Sequence, residues 1–360
     1  VFTGWGKPLK RFSSAWLSNT RLKQGVNERT VERPPRVGVI SGLAAVLLVA
    51  LSDKNTLAAE KPEGNPVTLT ATNRTTVRQP AQSPVPRHDP ADQPFRRAPM
   101  AESSRSVAIS LATNLHLAFD TQLLRTHTAW AGPALNLFGP PFHGGKTPFL
   151  CTFEGRALWT MPPFCPWAAK VPPTENQREL APGSDFQAIS SKGETVSLLY
   201  DLAIGEGGKV RVQESARQQM IGEASVVVRR FEISPCAQDL WFLAHAEMGK
   251  LSRSQPPGAA VLIERADGLL LAVACGLPAL KWTAEDKSVS YEAALNVEKK
   301  GESEIEKVQI SGLQARAYLR VPPHDAAVSL EIASAVCRDG NEASRLAVEL
   351  AKAPVLPPKM

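Results

Sequence analysis

Cysteine is scarce in this chain, and none of its five copies (151, 165, 236, 275 and 337) is spaced for chemistry. No two form a CxxC pair and none precedes a histidine, which argues against a dithiol redox motif, covalent haem c and a structural zinc site. The odd count leaves at least one thiol over in an oxidising compartment. Cys151–Cys165 is the most local pairing there, and buried free thiols are the alternative. Also missing are a GxSxG elbow, an HExxH zinc motif and a GxGxxG loop after a strand. A Ser–His–Asp set assembled from distant segments stays open. No catalytic residue, metal ligand or cofactor is therefore assigned.

The chain carries a formal charge of +6, which first suggests a polyanionic partner. Residues 1–36 hold eight Lys/Arg against two Asp/Glu, so the whole excess sits there and the other 324 residues are balanced. A neutral body has no field to draw in nucleic acid, and no helix-turn-helix, zinc-finger or aromatic-basic sheet pattern is present. Nucleic acid is not an expected partner.

No apolar run reaches the roughly 20 residues a spanning helix needs. The longest, "VGVISGLAAVLLVAL" (37–51), has 15 residues, is preceded by Arg29, Arg33 and Arg36, and leads to Thr56 and Ala58. Basic residues, an apolar stretch and small residues at −3 and −1 describe an export signal over 37–58, cleaved near Ala58. An uncleaved anchor or a buried core helix are the alternatives; membrane contact is expected only through an uncleaved signal. Residues 1–36 read as a basic extension, and a start at Val26 or Val31 fits them better. Residues 59–104 are dominated by Pro, Thr, Gln and charge, and read as a disordered tether. The expected location is periplasmic or extracellular.

From Arg105 the texture changes to short apolar runs separated by turn residues. "SVAISLATNLHLAFD" gives two strands around Thr113-Asn114, and "AAVLIERADGLLLAVAC" a hairpin at Asp267-Gly268. "ETVSLLYDLAIGEGGKVRVQESA", "SVVVRRFEI", "DLWFLAHAE", "SVSYEAALNV", "EIEKVQI", "ARAYLRV" and "AVSLEIASAV" continue the series. Such spacing predicts one all-β domain over 105–355, a large antiparallel sandwich or two packed lobes meeting near 249–258. One helix, "NEASRLAVELAKA", is expected near the end, capped by Asn341. Between Gly132 and Gly183 a Pro-rich excursion replaces regular strand texture.

Candidate ligand residues cluster at the start of that excursion. "LAFDTQLLRTHTAWAG" (117–132) reads as one alternating strand carrying Asp120, Arg125 and Trp130. Asp120 and Arg125 differ in parity, so a regular strand cannot show both to one ligand. His143 lies in "FHGGKTP" beside two glycines and a lysine, but prolines at 140, 141 and 148 argue against a phosphate-loop helix. Trp130, Trp159 and Trp167, with nearby phenylalanines, are either an aromatic shelf for sugar rings or a satellite core.

These segments resemble an uncharacterised exported β-rich domain of large bacterial multidomain proteins, often placed upstream of haem c modules or a sorbosone-dehydrogenase-like propeller. The resemblance rests on "FDTQLLR" and "AWAG" (119–125, 129–132), His143-Gly144, "PPFCPWA" (162–168), "KGETVSLLYDL" and "VVVRRFEI", and covers roughly 105–355. "FCPW" departs from it, standing where glycine is usual. It implies an extracytoplasmic protein and assigns no catalytic residue. A non-catalytic binding or scaffolding module, carbohydrate-related, is the expected function. A saccharide-acting hydrolase or isomerase, or an accessory that docks to an extracytoplasmic redox partner, are the alternatives.

Overall fold

The computed structural model describes residues 68–73, 94–100, 103–136, 151–205, 208–253, 260–277, 280, 282–299 and 302–352. The export segment 37–58, the basic extension, His143 and most of the tether lie outside them. The tether is not wholly strandless, however. β1 (Thr68–Asn73) and β2 (Phe95–Arg97) fall inside it, and β1 pairs with a strand near the far end of the chain.

β2, β3 (Ser106–Ala112), β4 (Leu115–Asp120), β5 (Arg125–Asn136) and β6 (Thr152–Thr160) form a five-stranded antiparallel meander. The stretch read as one strand is thus two. A turn at 121–124 separates β4 from β5, and the Asp120 carboxylate caps it by accepting from the Gln122 and Leu123 amides at 2.8 and 3.3 Å. Short acidic side chains favour such turns because they mimic a backbone carbonyl. Leu124 completes the turn at φ 52°, an uncommon conformation for a branched residue, while its side chain is fully buried. The Pro-rich excursion also contains strands, β6 and the short β7 (Trp167–Ala169).

The remaining strands are β8 (Asp185–Lys192), β9 (Thr195–Ile204), β10 (Gly208–Ile221), β11 (Ala224–Ile233), β12 (Leu240–Leu251), β13 (Ala260–Arg265), β14 (Leu270–Cys275), β15 (Trp282–Lys299), β16 (Glu302–Val321) and β17 (Val328–Cys337). With β1 and β7 they build a 12-stranded sheet, ordered β1-β16-β12-β13-β14-β17-β11-β10-β9-β8, where β15 also pairs with β16 and β7 with β12. "EIEKVQI" and "ARAYLRV" are one continuous strand, because Ser311-Gly312 stays paired to β15 rather than turning. β12 and β13, which flank the expected lobe junction, pair with each other from Gly249 to Leu251. Among the described residues the outcome is an all-β fold of two antiparallel sheets with one helix.

Alternation explains the main core. Val196, Leu198, Tyr200 and Leu202 of β9 bury one face, as do Val210 and Val212 of β10. They meet Ile109, Leu117 and Phe119 of the small sheet in one hydrophobic cluster. The opposite face of β13, β14 and β17, with Leu262, Ala272 and Ala335, is covered by α1 (Gly340–Lys352) through Ala343 and Leu346. Asp339, rather than Asn341, caps this helix: its Oδ1 accepts from the amides of Asn341 and Glu342 at 2.9 Å each. Among the described residues no helix is long and apolar enough to cross a membrane.

One feature of the large sheet positions the site. β12 pairs with β16 from Leu240 to Met248, then leaves it and pairs with β13 from Gly249 to Leu251. Gly249 sits at φ 148°, where a β-carbon would run into the Glu264 carbonyl, so the switch of partner needs a glycine.

Candidate functional site

Each residue singled out from sequence and described in the structure has a structural occupation. Trp130 is fully buried, stacked by His116 and by Phe153 at 5.2 Å each. Trp159 sets its ring edge-on to His245 at 5.1 Å, and Trp167 packs 4.3 Å from Phe242. No open aromatic shelf is formed by these three. Trp159 and Trp167 pack into the main core and Trp130 into a separate cluster on the other face of the small sheet, and large rings go where they remove the most surface from water.

Asp120 and Arg125 come together, contrary to the parity argument, because the turn at 121–124 makes them cross-strand partners. Asp120 Oδ2 lies 3.4 Å from Arg125 Nε, and both side chains are buried. Arg125 Nη1 donates to the carbonyls of Met161 and Pro162 at 2.8 Å each. The pair therefore fastens the Pro-rich segment to the small sheet.

Buried polar groups recur across the interior in paired form. Glu214 accepts from Arg229 (2.8 Å), Thr126 (3.2 Å) and Tyr200 (3.0 Å), and so ties the two sheets together. His245 Nε2 is 2.7 Å from Ser334 Oγ, and His127 Nε2 is 2.6 Å from Ser106 Oγ. Ser106 donates its one proton to the Ser103 carbonyl, so His127 must donate to Ser106. That is the reverse of a nucleophile–base dyad. Burial lowers the basicity of both imidazoles, His245 to about 3 with help from Arg229 and Arg265, and His127 well below the ordinary range with help from Arg125.

Beside the point where β12 changes partner stands Glu247. Its Oε2 is buried without a hydrogen bond, 3.6 Å from Arg265 Nη1. Arg265 is held by Asp267 and by the Leu158 carbonyl. Desolvation dominates over the attraction of Arg265 and pushes the Glu247 carboxyl up to about 7.

The polar cluster that reaches the surface lies on the neighbouring face of β15 and β16. Alternation in "QARAYLR" puts Gln314, Arg316, Tyr318 and Arg320 on one face, with Ala315, Ala317 and Leu319 on the other. Glu285 stands opposite Arg316 and Lys287 opposite Gln314. Arg316 is completely buried: Nε donates to Gln314 (2.8 Å), Nη1 to Glu175 (3.0 Å) and more loosely to Tyr318 Oη (3.4 Å), and the guanidinium lies 5.4 Å from the Phe164 ring centre. Tyr318 in turn donates to the exposed Glu285 at 3.0 Å. Burial, with Glu285 beside it, pushes the Tyr318 hydroxyl up to about 12, so it is a donor at neutral pH. Glu175, 28% exposed, comes from the irregular stretch after β7 and also accepts from Lys287 at 3.1 Å, itself 36% exposed. Burial alone would raise the Glu175 carboxyl; its own backbone N–H, Lys287 and Arg316 outweigh that and hold it at about 2.

None of these five residues, Glu175, Glu285, Lys287, Arg316 and Tyr318, was among the sequence candidates. The available signal was the run of polar residues at alternate positions of β16, opposite a run of alanines. Among the described residues no group of three or more His, Cys, Asp or Glu is placed to hold a metal ion.

No family model matches the chain, and no curated protein is detectably similar to it. Several solved structures match it in part. A heparinase III matches at 11% identity over 68% of this chain and 36% of its own, with a TM-score of 0.33. The heparan sulfate lyase of Pedobacter heparinus matches at 8% over 67% and 36%, TM-score 0.34. A 4-alpha-glucanotransferase of Thermococcus litoralis matches at 8% over 64% and 37%, TM-score 0.33. The chain thus spans little more than a third of each, and likeness at this level assigns no activity.

Proposed function

We propose that this chain is an extracytoplasmic binding module for a saccharide, which docks over the half-open face of β15 and β16. The observation that carries this reading is the graded cluster Glu285–Tyr318–Arg316–Glu175–Lys287, which runs from exposed to buried within one hydrogen-bonded group. Sugar hydroxyls each donate and accept, and adjacent pairs are bound well by planar carboxylates and guanidiniums locked in place by other contacts. Here both kinds are present, preset by the sheet register and backed by Phe164. The placement outside the cytoplasm rests on the basic residues and apolar run at 29–51.

One observation favours the saccharide-acting enzyme instead. Glu247, whose Oε2 accepts no hydrogen bond and whose carboxyl lies near neutrality, is the kind of group that exchanges protons at physiological pH. A glycan array probed with the labelled protein tests the binding reading. Retention of at least one oligosaccharide class, lost in Tyr318→Phe and Glu285→Gln with the fold intact, is expected. Silence across the array overturns it, and conversion of a retained glycan, abolished by Glu247→Gln, identifies an enzyme in its place.

A further inference from the structure

Arg316 is only half used. A guanidinium presents two parallel N–H donors along its Nη edge, which fits a carboxylate bidentately. Glu175 engages Nη1 alone, and Nη2 is buried without a hydrogen-bond partner. Leaving such a donor unsatisfied is costly, and native interiors rarely do it without a reason. The other two nitrogens are fixed by Gln314 and, through Nη1, by Tyr318, so the open donor cannot turn away to find a bond.

The group that occupies Nη1 is the member of the cluster that comes from outside the paired strands. Glu175 belongs to the irregular stretch 170–184 between β7 and β8, next to exposed Thr174 and Asn176. Arg316, Tyr318 and Lys287, by contrast, project from long paired strands. If Glu175 swings outward, the cluster that remains holds Arg316 and Lys287 against the carboxylate of Glu285, a net charge of +1 beside a buried guanidinium. A hydroxyl cannot balance that charge, whereas a carboxylate can.

We propose that Arg316 and Lys287 form a site for the carboxylate of a uronic acid residue, and that Glu175 is its intramolecular stand-in, displaced when the ligand binds. The inference rests on the saccharide reading above and narrows it to acidic sugars. The bound carboxylate would lie on Nη1 and Nη2 together, with Lys287 Nζ against one oxygen, in place of the single contact that Glu175 makes.

The test compares oligouronates, each as the free acid and as its methyl ester, by calorimetry on the wild type, Glu175→Gln and Lys287→Gln. The ester keeps the ring and hydroxyls and removes only the charge. Expected are binding of at least one free acid, its ester about tenfold weaker or worse, tighter binding of the acid to Glu175→Gln, and weaker binding to Lys287→Gln. Both substituted side chains are partly exposed, and Glu175→Gln keeps an oxygen acceptor beside the buried Arg316, so a modest loss of stability is expected, which thermal melts measure separately from binding. Equal binding of acid and ester, with Glu175→Gln weakening both, overturns the stand-in and leaves Glu175 an ordinary hydroxyl ligand. A hexaglutamate peptide that binds in place of every oligouronate overturns the assignment to sugars. If neither acid nor ester binds while a neutral oligosaccharide from the array does, the carboxylate site fails and the saccharide reading stands. If the array too is silent, both fail.

Discussion

Asp120 and Arg125 face each other directly across β4 and β5, their carboxylate and guanidinium 3.4 Å apart and both buried. Arg125 spends its Nη1 on two carbonyls of the Pro-rich segment, so this ion pair bridges the small sheet and the backbone that leads to Phe164 and Glu175. Removing one partner strands a buried charge, which costs about 3–5 kcal/mol. Asp120→Ala should therefore lower stability by that order in urea unfolding, and Asp120→Asn by less, because the amide oxygen can still cap the turn. A melt unchanged in Asp120→Ala would show that the pair is not a brace.

Trp130 should behave as core. With His116 and Phe153 stacked on it and no exposed surface, Trp130→Ala removes a large buried ring and should cost about 3–5 kcal/mol. Near-wild-type stability, with loss of glycan retention, would restore the aromatic shelf that the sequence suggested.

Much of the architecture was legible in the chain, for a physical reason. Period-two alternation survives in β9 and the first half of β10, where one face is core, and Asp267-Gly268 turns as its residue types demand, with Gly268 at φ 79°. The site was less legible. Asp120, Arg125 and Trp130 sit in an unbroken run of plausible strand residues, and only the Asp-capped turn with Leu124 in a left-handed conformation shows that the chain reverses there. Reading through that turn gave the wrong parity and hid the ion pair. Arg316 and Tyr318 carry no signal of their own, because an alternating polar face on a β-strand ordinarily means solvent. What makes this one different is Glu175, delivered from 141 residues away by a segment without periodicity.

Glu247 gives a signed prediction. Its carboxyl titrates near 7 when folded, against 4.5 for the ordinary group, so the folded state holds a proton that the unfolded state releases over that window. The ionised form destabilises the fold, fully above the folded value and progressively less as the pH falls towards 4.5. Glu247→Gln should thus be more stable than the wild type at pH 8, by at most about 3 kcal/mol, with most of the gap gone by pH 5. His116, His127 and His245, all made less basic by burial, act oppositely: their contribution is present above about pH 6.5 and is lost on acidification. The melting temperature of either protein should therefore fall below neutrality, and only the difference between them isolates Glu247. A difference that does not vary with pH would show that Glu247 is already neutral, or fully solvated, in the fold.

All five cysteines are free and buried. Cys151 and Cys165, the most local pair in sequence, sit in different surroundings: Cys151 packs with Trp130 on the outer face of the small sheet, Cys165 in the main core. Burial pushes the Cys151 and Cys337 thiols up to about 12 and those of Cys165 and Cys275 to about 11. Since the thiolate is the reactive species, these groups should be nearly inert towards an aromatic disulfide reagent at pH 8 while the protein is folded. In denaturant without reductant the same reagent should titrate five thiols. The native reaction should then proceed only as fast as the fold opens, and slow further under conditions that raise stability. Three or fewer thiols in the denatured titration would reveal a disulfide. A fast native phase of one equivalent would place one of the five at the surface, and mass spectrometry of the labelled peptide would say which.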